Sequence, residues 1–331
     1  MATQTFDKIV WERRLQILET SLGADIMHYM HQDDVTEVMV NPDGKLWIDR
    51  FGVGFEDTGI RMDPDKTKRV IYAIADLSGN TINLKVDPSL QADIPASRLF
   101  SNCRFQAELP GLVDAPSFNI RKHSKSVYTL ADYVTQGSMT KSQHDAIIAA
   151  IHNHRNVIAA GGTASGKTTL LNAILAEIST LGERIITIED TKELKCTAEN
   201  SVALTTMENV DMDALLKKTL RLSPNRIVVG EVRNKEALTL IDAWSTGHRG
   251  GCSTVHSDSA LETLFRLEGM ISRVSITPQQ ASIARAINVI VYIAKRAAVR
   301  RVEEVIAVDT WDAGKGEYIV HRLDDPKEMK Y

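Results

Sequence analysis

Apolar positions along the chain change their spacing once, and the change divides it in two. Up to about residue 122 helical and strand periods are mixed. Ile9, Leu15, Leu18 and Leu22 recur at helical spacing and predict a helix over 9–22. Val35 to Val40 and Leu46 to Ile48 predict strands, joined by the turn signal Asn41-Pro42-Asp43-Gly44. Asp63 as N-cap and Pro64 at the first helical position predict a helix running to Leu77. Arg98 and Arg104 flank a further strand-like stretch, and Ser117 to Arg121 predicts a short final strand. The expected first domain, residues 1–122, is α+β with much antiparallel pairing.

Residues 123–140 are polar and read as an interdomain linker. From 141 to 331 short apolar runs alternate with helical segments. Strands are expected at Val157–Ala160, Ile185–Ile188, Val202–Leu204, Ile227–Val229, Cys252–Val255 and Val289–Ile293. Such alternation implies a mostly parallel sheet covered on both faces, an α/β domain. Asp324 to Tyr331 reads as a polar tail.

Composition narrows the picture. A length of 331 residues suggests two domains, and 43% apolar with 25% charged residues is ordinary for a soluble globular protein. A net charge of −4 carries no global nucleic-acid signature. Cys103, Cys196 and Cys252 are far apart, which argues against a zinc site or a disulfide framework and for reduced thiols. No apolar run approaches the roughly 18 residues of a membrane span. The N-terminus lacks the apolar core of a signal peptide. The expected location is cytoplasmic, with any membrane association peripheral or through a partner.

Four segments carry chemistry. Gly161-Gly162-Thr163-Ala164-Ser165-Gly166-Lys167-Thr168 fits G-x-x-x-x-G-K-[ST], the phosphate-binding P-loop. The strand expected before it and the helix expected from Thr169 to Ile178 supply the context that motif needs. Its amides can cradle phosphate at a helix N-terminus. Lys167 can reach the β- and γ-phosphates, and Thr168 can ligate Mg²⁺. Gly161 through Thr169 are therefore the expected ATP-binding residues.

Arg184 to Asp190 is an apolar strand ending in two carboxylates. Ligands of open α/β sheets sit at the carboxyl ends of strands, so Glu189 and Asp190 are expected to project towards the P-loop. Either can orient a water or hold a metal through one. Arg226 to Arg233 is a buried strand ending in Gly230-Glu231. It resembles a Walker B strand in which the usual Asp is replaced by Gly230, leaving Glu231 as a water-positioning or metal-shell residue. In Thr246 to His256, three glycines within five residues allow close backbone approach, and the strand after them ends at His256, placed to bond the phosphate region.

Together these residues resemble the secretion or traffic ATPases that power type II secretion, type IV pili and type IV secretion. Glu189-Asp190 with Glu193-Leu194 is similar to that family's Asp box. Gly230-Glu231-Val232-Arg233 is similar to its atypical Walker B, and Thr246-Gly247-His248 through His256 to its His box. The resemblance implies a RecA-like P-loop NTPase domain, preceded by a smaller α+β, PAS-like domain. It implies a homo-hexamer that hydrolyses ATP with the help of Mg²⁺, the nucleotide being bound between the two domains of a subunit. Glu189 would activate water and Glu231 would stand near Mg²⁺. Lys167 and His256 would complete the catalytic set, with Arg104, Arg121 and Arg233 contacting nucleotide. From spacing alone Arg104 and Arg121 read better as solvated side chains than as arginine fingers. Asn225 stands where many relatives carry Asp. The missing tetra-cysteine insert, the run from Ser223 to Arg233 and Asp242-Ala243-Trp244 favour the conjugation and type IV secretion branch. Its partners are the inner-membrane apparatus proteins, and no sequence-specific nucleic-acid contact is expected. Pilus retraction, a RecA-like nucleic-acid motor and a nucleotide-dependent scaffold are the alternatives.

Overall fold

The first element of the computed structural model, which describes residues 2–50, 53–94, 96–99, 101–122, 128–296 and 299–324, is a helix broken by a glycine. This helix, α1 (Ala2–His31), is interrupted at Gly23, where φ is 74° and ψ 175°. The break explains why the helical pattern stops at Leu22 although the helix resumes to His31. The strands β1 (Val35–Val40) and β2 (Lys45–Arg50) follow as an antiparallel pair. Their turn closes through Gly44 N–H donating to the Asn41 carbonyl at 2.9 Å. After β3 (Gly54–Arg61) comes α2 (Pro64–Ser78). Asp63 caps it through the amides of Asp65 and Lys66. β4 (Ser89–Ile94), β5 (Cys103–Glu108) and β6 (Ser117–Lys122) complete a six-stranded sheet in the order β3-β2-β1-β6-β5-β4. Among the described residues its strands pair antiparallel throughout.

Alternation in these strands sends one set of side chains to the helices. Val38, Phe105 and Ile120 share a core with Leu15, Leu18 and Leu22 of α1 and Ile71 and Ile74 of α2. Each such side chain contributes about 1.5–3 kcal/mol by burial. The opposite set, including Arg104, Gln106 and Arg121, is half-buried or exposed. Two details differ from the sequence reading. Arg104 lies within β5 rather than beside a strand, and Arg98 pairs with Glu12 and Glu19 of α1. The strands β3 and β4 carry no continuous apolar run, which is why no expectation covered them.

The chain divides into two compact units, 1–126 and 127–331. The second begins with α3 (Leu130–Thr135) and α4 (Lys141–His152). Part of the expected linker is thus corrected to a helix. Thr129 and Asp132 form a capping box, and Leu130 and Tyr133 are buried with Ile147 and Leu171. Residues 123–127 of that linker lie outside the described residues, as do 325–331 of the expected tail. Asp324 itself is anchored by Gln143 at 2.9 Å and by Arg322.

The core of this unit is an eight-stranded sheet. In chain order its elements are β7 (Val157–Gly161), α5 (Lys167–Ser179), β8 (Ile185–Glu189), β9 (Ser201–Thr205), α6 (Met212–Thr219), β10 (Arg226–Val232), α7 (Glu236–Ser245), β11 (Cys252–His256), α8 (Glu262–Ile271), α9 (Gln280–Ala286), β12 (Val289–Arg296), β13 (Val299–Asp312) and β14 (Glu317–Arg322). The strand order is β14-β13-β12-β7-β11-β10-β8-β9. From β12 to β9 the pairings are parallel, and β13 and β14 add an antiparallel edge. The expected strands are all present, each slightly longer than its apolar run. β7 shows why those runs are continuous. Ile158 and Ala160 join one core cluster and Val157 and Ala159 another, so the strand is buried on both faces.

Candidate nucleotide site

β7 delivers the P-loop to the N-terminus of α5. Gly166, at φ 98°, is the N-cap, and no side chain caps the first helical amides. Those amides are ready donors for an anion, and the helix dipole adds favourable potential. Ala164 also takes a left-handed backbone, at φ 56°. A Cβ on Gly161 would strike the Ile293 carbonyl oxygen and come within 2.6 Å of Ser165 Oγ, so only glycine fits there. Ser165 is 1% exposed, and its Oγ has no hydrogen-bond partner. Lys167 Nζ donates to the Gly162 carbonyl at 2.8 Å, across the mouth of the loop. Glycine-only geometry, uncapped amides, an orphaned hydroxyl and a lysine over the loop fit a phosphate chain.

Strand order places the remaining residues. β11 lies beside β7 with His256 in register with Gly161, and His256 Nε2 is 3.4 Å from Thr163 Oγ1. His256 is therefore a direct neighbour of the loop, as its position at a carboxyl end predicts. The box's glycines serve packing, since a Cβ on Gly251 would strike the Ile227 carbonyl and the Trp244 ring.

β10 comes next and carries Glu231 at its end. Arg233 Nη2 donates to Glu231 Oε2, and Arg233 Nη1 is 3.8 Å from Asp190. The hydrogen bond to Glu231 holds the Arg233 guanidinium pKa above its ordinary value. Arg233 thus bridges carboxylates at two strand ends, an arrangement its expected nucleotide contact did not include.

Glu189 departs most from expectation. β8 is the third strand from β7, roughly 14 Å away at about 4.8 Å per strand. The side chain does not project freely: it is 4% exposed, and Oε2 accepts the amides of Glu193 at 3.0 Å and Leu194 at 2.8 Å. Burial pushes its pKa up to about 7, against the pull of those two amides. A Cβ on Gly230 would lie 3.2 Å from the Glu189 Cβ. The Gly230 substitution in the Walker B strand therefore keeps a second carboxylate away from a carboxyl that is already buried. Asp190 accepts from Thr206 Oγ1 at 3.1 Å. Asn225 has a structural task, accepting the Arg184 amide at 2.8 Å.

Two residues at the site escaped the sequence reading. Arg300 on β13 donates to the Ala164 carbonyl at 3.0 Å from 136 positions away. Asn172 on α5 bonds the backbone of the loop that anchors Glu189. Neither sits in a motif, and only the folded chain brings them in. In the first unit, Arg104 and Arg121 are register partners on β5 and β6, flanked by Asp93 at 4.0 Å and Glu37 at 3.7 Å. Like charges directly opposite across strands repel, so this pair is suited to an anion.

Comparison with known proteins agrees with the motifs. The family described as Type II/IV secretion system protein matches residues 22–311. Over 302 residues the chain is 42% identical to the conjugal transfer protein TrbB of Rhizobium radiobacter, covering 90% of this chain and 91% of that protein. It is 30% identical to the type IV secretion system protein PtlH of Bordetella pertussis (strain Tohama I / ATCC BAA-589 / NCTC 13251), over 86% and 91% of the two chains. The X-ray structure of the Legionella pneumophila ATPase DotB superposes with a TM-score of 0.62 over 92% of this chain and 81% of that one. At 18% identity that match speaks for the fold alone.

Proposed function

The chain belongs to the Type II/IV secretion system protein family, and from that membership we propose that it is an ATP-hydrolysing motor of a conjugation or type IV secretion system. The observation that carries the reading is the P-loop: uncapped amides of α5, glycine-only backbone at Gly161 and Gly166, and Lys167 over the loop. The strand order β12-β7-β11-β10-β8 supports a RecA-like second unit, and two helices on one sheet support a PAS-like first unit.

Gly161 to Thr169 would hold the phosphates of ATP. Mg²⁺ would be held by Thr168, with Glu231 close to it, and would supply charge neutralisation on the phosphates when bound. Among the described residues no three His, Cys, Asp or Glu side chains cluster into a metal cage. Glu189 would take the proton of the attacking water, a role suited to a carboxyl poised near neutrality. His256, beside Thr163, would report the state of the loop. Arg104 and Arg121 would contact the nucleotide's anionic end. Arg233 would hold Glu231 and Asp190 together across the two strand ends until it turns to a nucleotide phosphate.

As a motor, the protein would work as a homo-hexamer at the cytoplasmic base of the apparatus, bound to its inner-membrane proteins. No helix among the described residues is long and apolar enough to cross a membrane. Lys167→Ala is the test. ATP hydrolysis and transfer are expected to be abolished while circular dichroism and the melting temperature stay those of the wild type. Turnover that survives the change would sink the reading.

A further inference from the structure

Glu189 and the P-loop helix hold the same three-residue segment by interleaved bonds. The amides of Glu193 and Leu194 donate to Glu189 Oε2. Between those two amides the Glu193 carbonyl accepts from Asn172 Nδ2 at 3.0 Å, and just after them the Lys195 amide donates to Asn172 Oδ1 at 2.8 Å. The segment cannot leave one partner without straining its bonds to the other. Asn172 is 9% exposed and sits mid-helix among buried leucines. Asparagine is a poor helix former, and burying its amide is costly unless every polar group is used. Here both groups are used, and both on this segment. Asn172 lies five positions after Lys167, about 7.5 Å along a rigid helix that starts at the phosphate cradle.

We infer that Asn172 is a positioning residue that clamps the 193–195 segment, and with it the Glu189 carboxylate, to the helix beginning at the P-loop. The inference rests on the ATPase reading above. A displacement of α5 when the cradle fills is transmitted through Asn172 to Glu193 and Leu194, and so to Glu189. The clamp acts on the chemical step, because Asn172 touches neither the cradle nor the cation site.

The test uses the full chain and Asn172→Leu, which keeps the branched shape and removes both bonds. The kcat for ATP is expected to fall at least tenfold, while fluorescent-nucleotide titration gives an affinity within twofold of wild type. Adding Asn172→Leu to Glu189→Gln is expected to cost no further turnover, since the clamp works through Glu189. Amide exchange at Leu194 and Lys195 is expected to speed up at least tenfold. Equal loss of kcat and affinity, additivity with Glu189→Gln, or unchanged exchange at 194–195 each overturns the clamp. If Asn172→Leu does not fold, Asn172→Asp, which keeps an acceptor for the Lys195 amide and sets a carboxylate oxygen against the Glu193 carbonyl where the donor was, is judged by the same criteria. A wild-type protein without ATPase activity would defeat the functional reading. The clamp would then stand or fall on the exchange rates alone.

Discussion

At the scale of single residues, Glu189 shows how burial and function oppose each other. Its carboxyl titrates near 7 in the folded chain and near 4.5 when unfolded. Below about pH 4.5 the proton is present in both states, and burial carries no ionic cost. As pH rises from 4.5 to 7 the unfolded chain ionises first, so stability falls; above 7 the full penalty of about 3 kcal/mol remains. Glu189→Gln keeps an acceptor for the Glu193 and Leu194 amides and removes the charge. It is expected to raise stability at pH 8 by about 1–3 kcal/mol and to gain nothing at pH 4, read from urea denaturation at both values. The same change should abolish the rise in turnover with pH through about 7, because only the ionised carboxylate accepts the water's proton. A pH profile unchanged in Glu189→Gln would assign the base elsewhere. Gly230 belongs to the same argument. Gly230→Asp would set a second carboxylate against Glu189, and it is expected to lower both stability and turnover, measured by thermal melting and phosphate release.

At the scale of elements, the P-loop depends on a strand that the sequence conceals. Arg300 on β13 donates to the carbonyl of Ala164, a non-glycine residue held at φ 56°. Such a backbone persists only when its surroundings hold it. Arg300→Met is expected to weaken nucleotide binding about tenfold with little change in kcat at saturation, as a lost charge-assisted hydrogen bond would. Calorimetry on the variant checks this, and unchanged affinity would return Arg300 to a purely structural role. β13 was illegible for a physical reason. Bulges between Tyr292 and Ile293 and between Val308 and Thr310 shift its register against β12 and β14. Its buried residues Val302, Val305, Ile306 and Val308 therefore break the two-residue period. The strands β7, β8, β10 and β11 were legible because both faces are buried and their apolar runs are continuous. The P-loop and the carboxylates at strand ends were legible because each is local. Asn172 and Arg300 were not, because their partners lie 21 and 136 positions away. α3 was hidden because only Leu130 and Tyr133 mark it within a polar stretch.

At the scale of the whole molecule, each unit has its own core, and the chemistry is divided unevenly between them. Phe105 and Leu18 belong to one core, Trp244 and Ile158 to another, and among the described residues no cluster mixes the two units. Residues 127–331 alone are therefore expected to fold cooperatively and to bind nucleotide, since every P-loop contact described lies within them. Turnover is expected to need the first unit as well, through the paired Arg104 and Arg121. Arginines directly opposite across β5 and β6 repel each other by about 0.2–1 kcal/mol, before Asp93 and Glu37 are counted. Arg104→Gln and Arg121→Gln, made separately in the full chain, are thus expected to leave stability unchanged or slightly higher while lowering kcat at least tenfold. Nucleotide affinity should stay near that of the 127–331 fragment. Two variants with wild-type kcat would show that the pair is tolerated for another anion, and that the second unit completes the reaction alone.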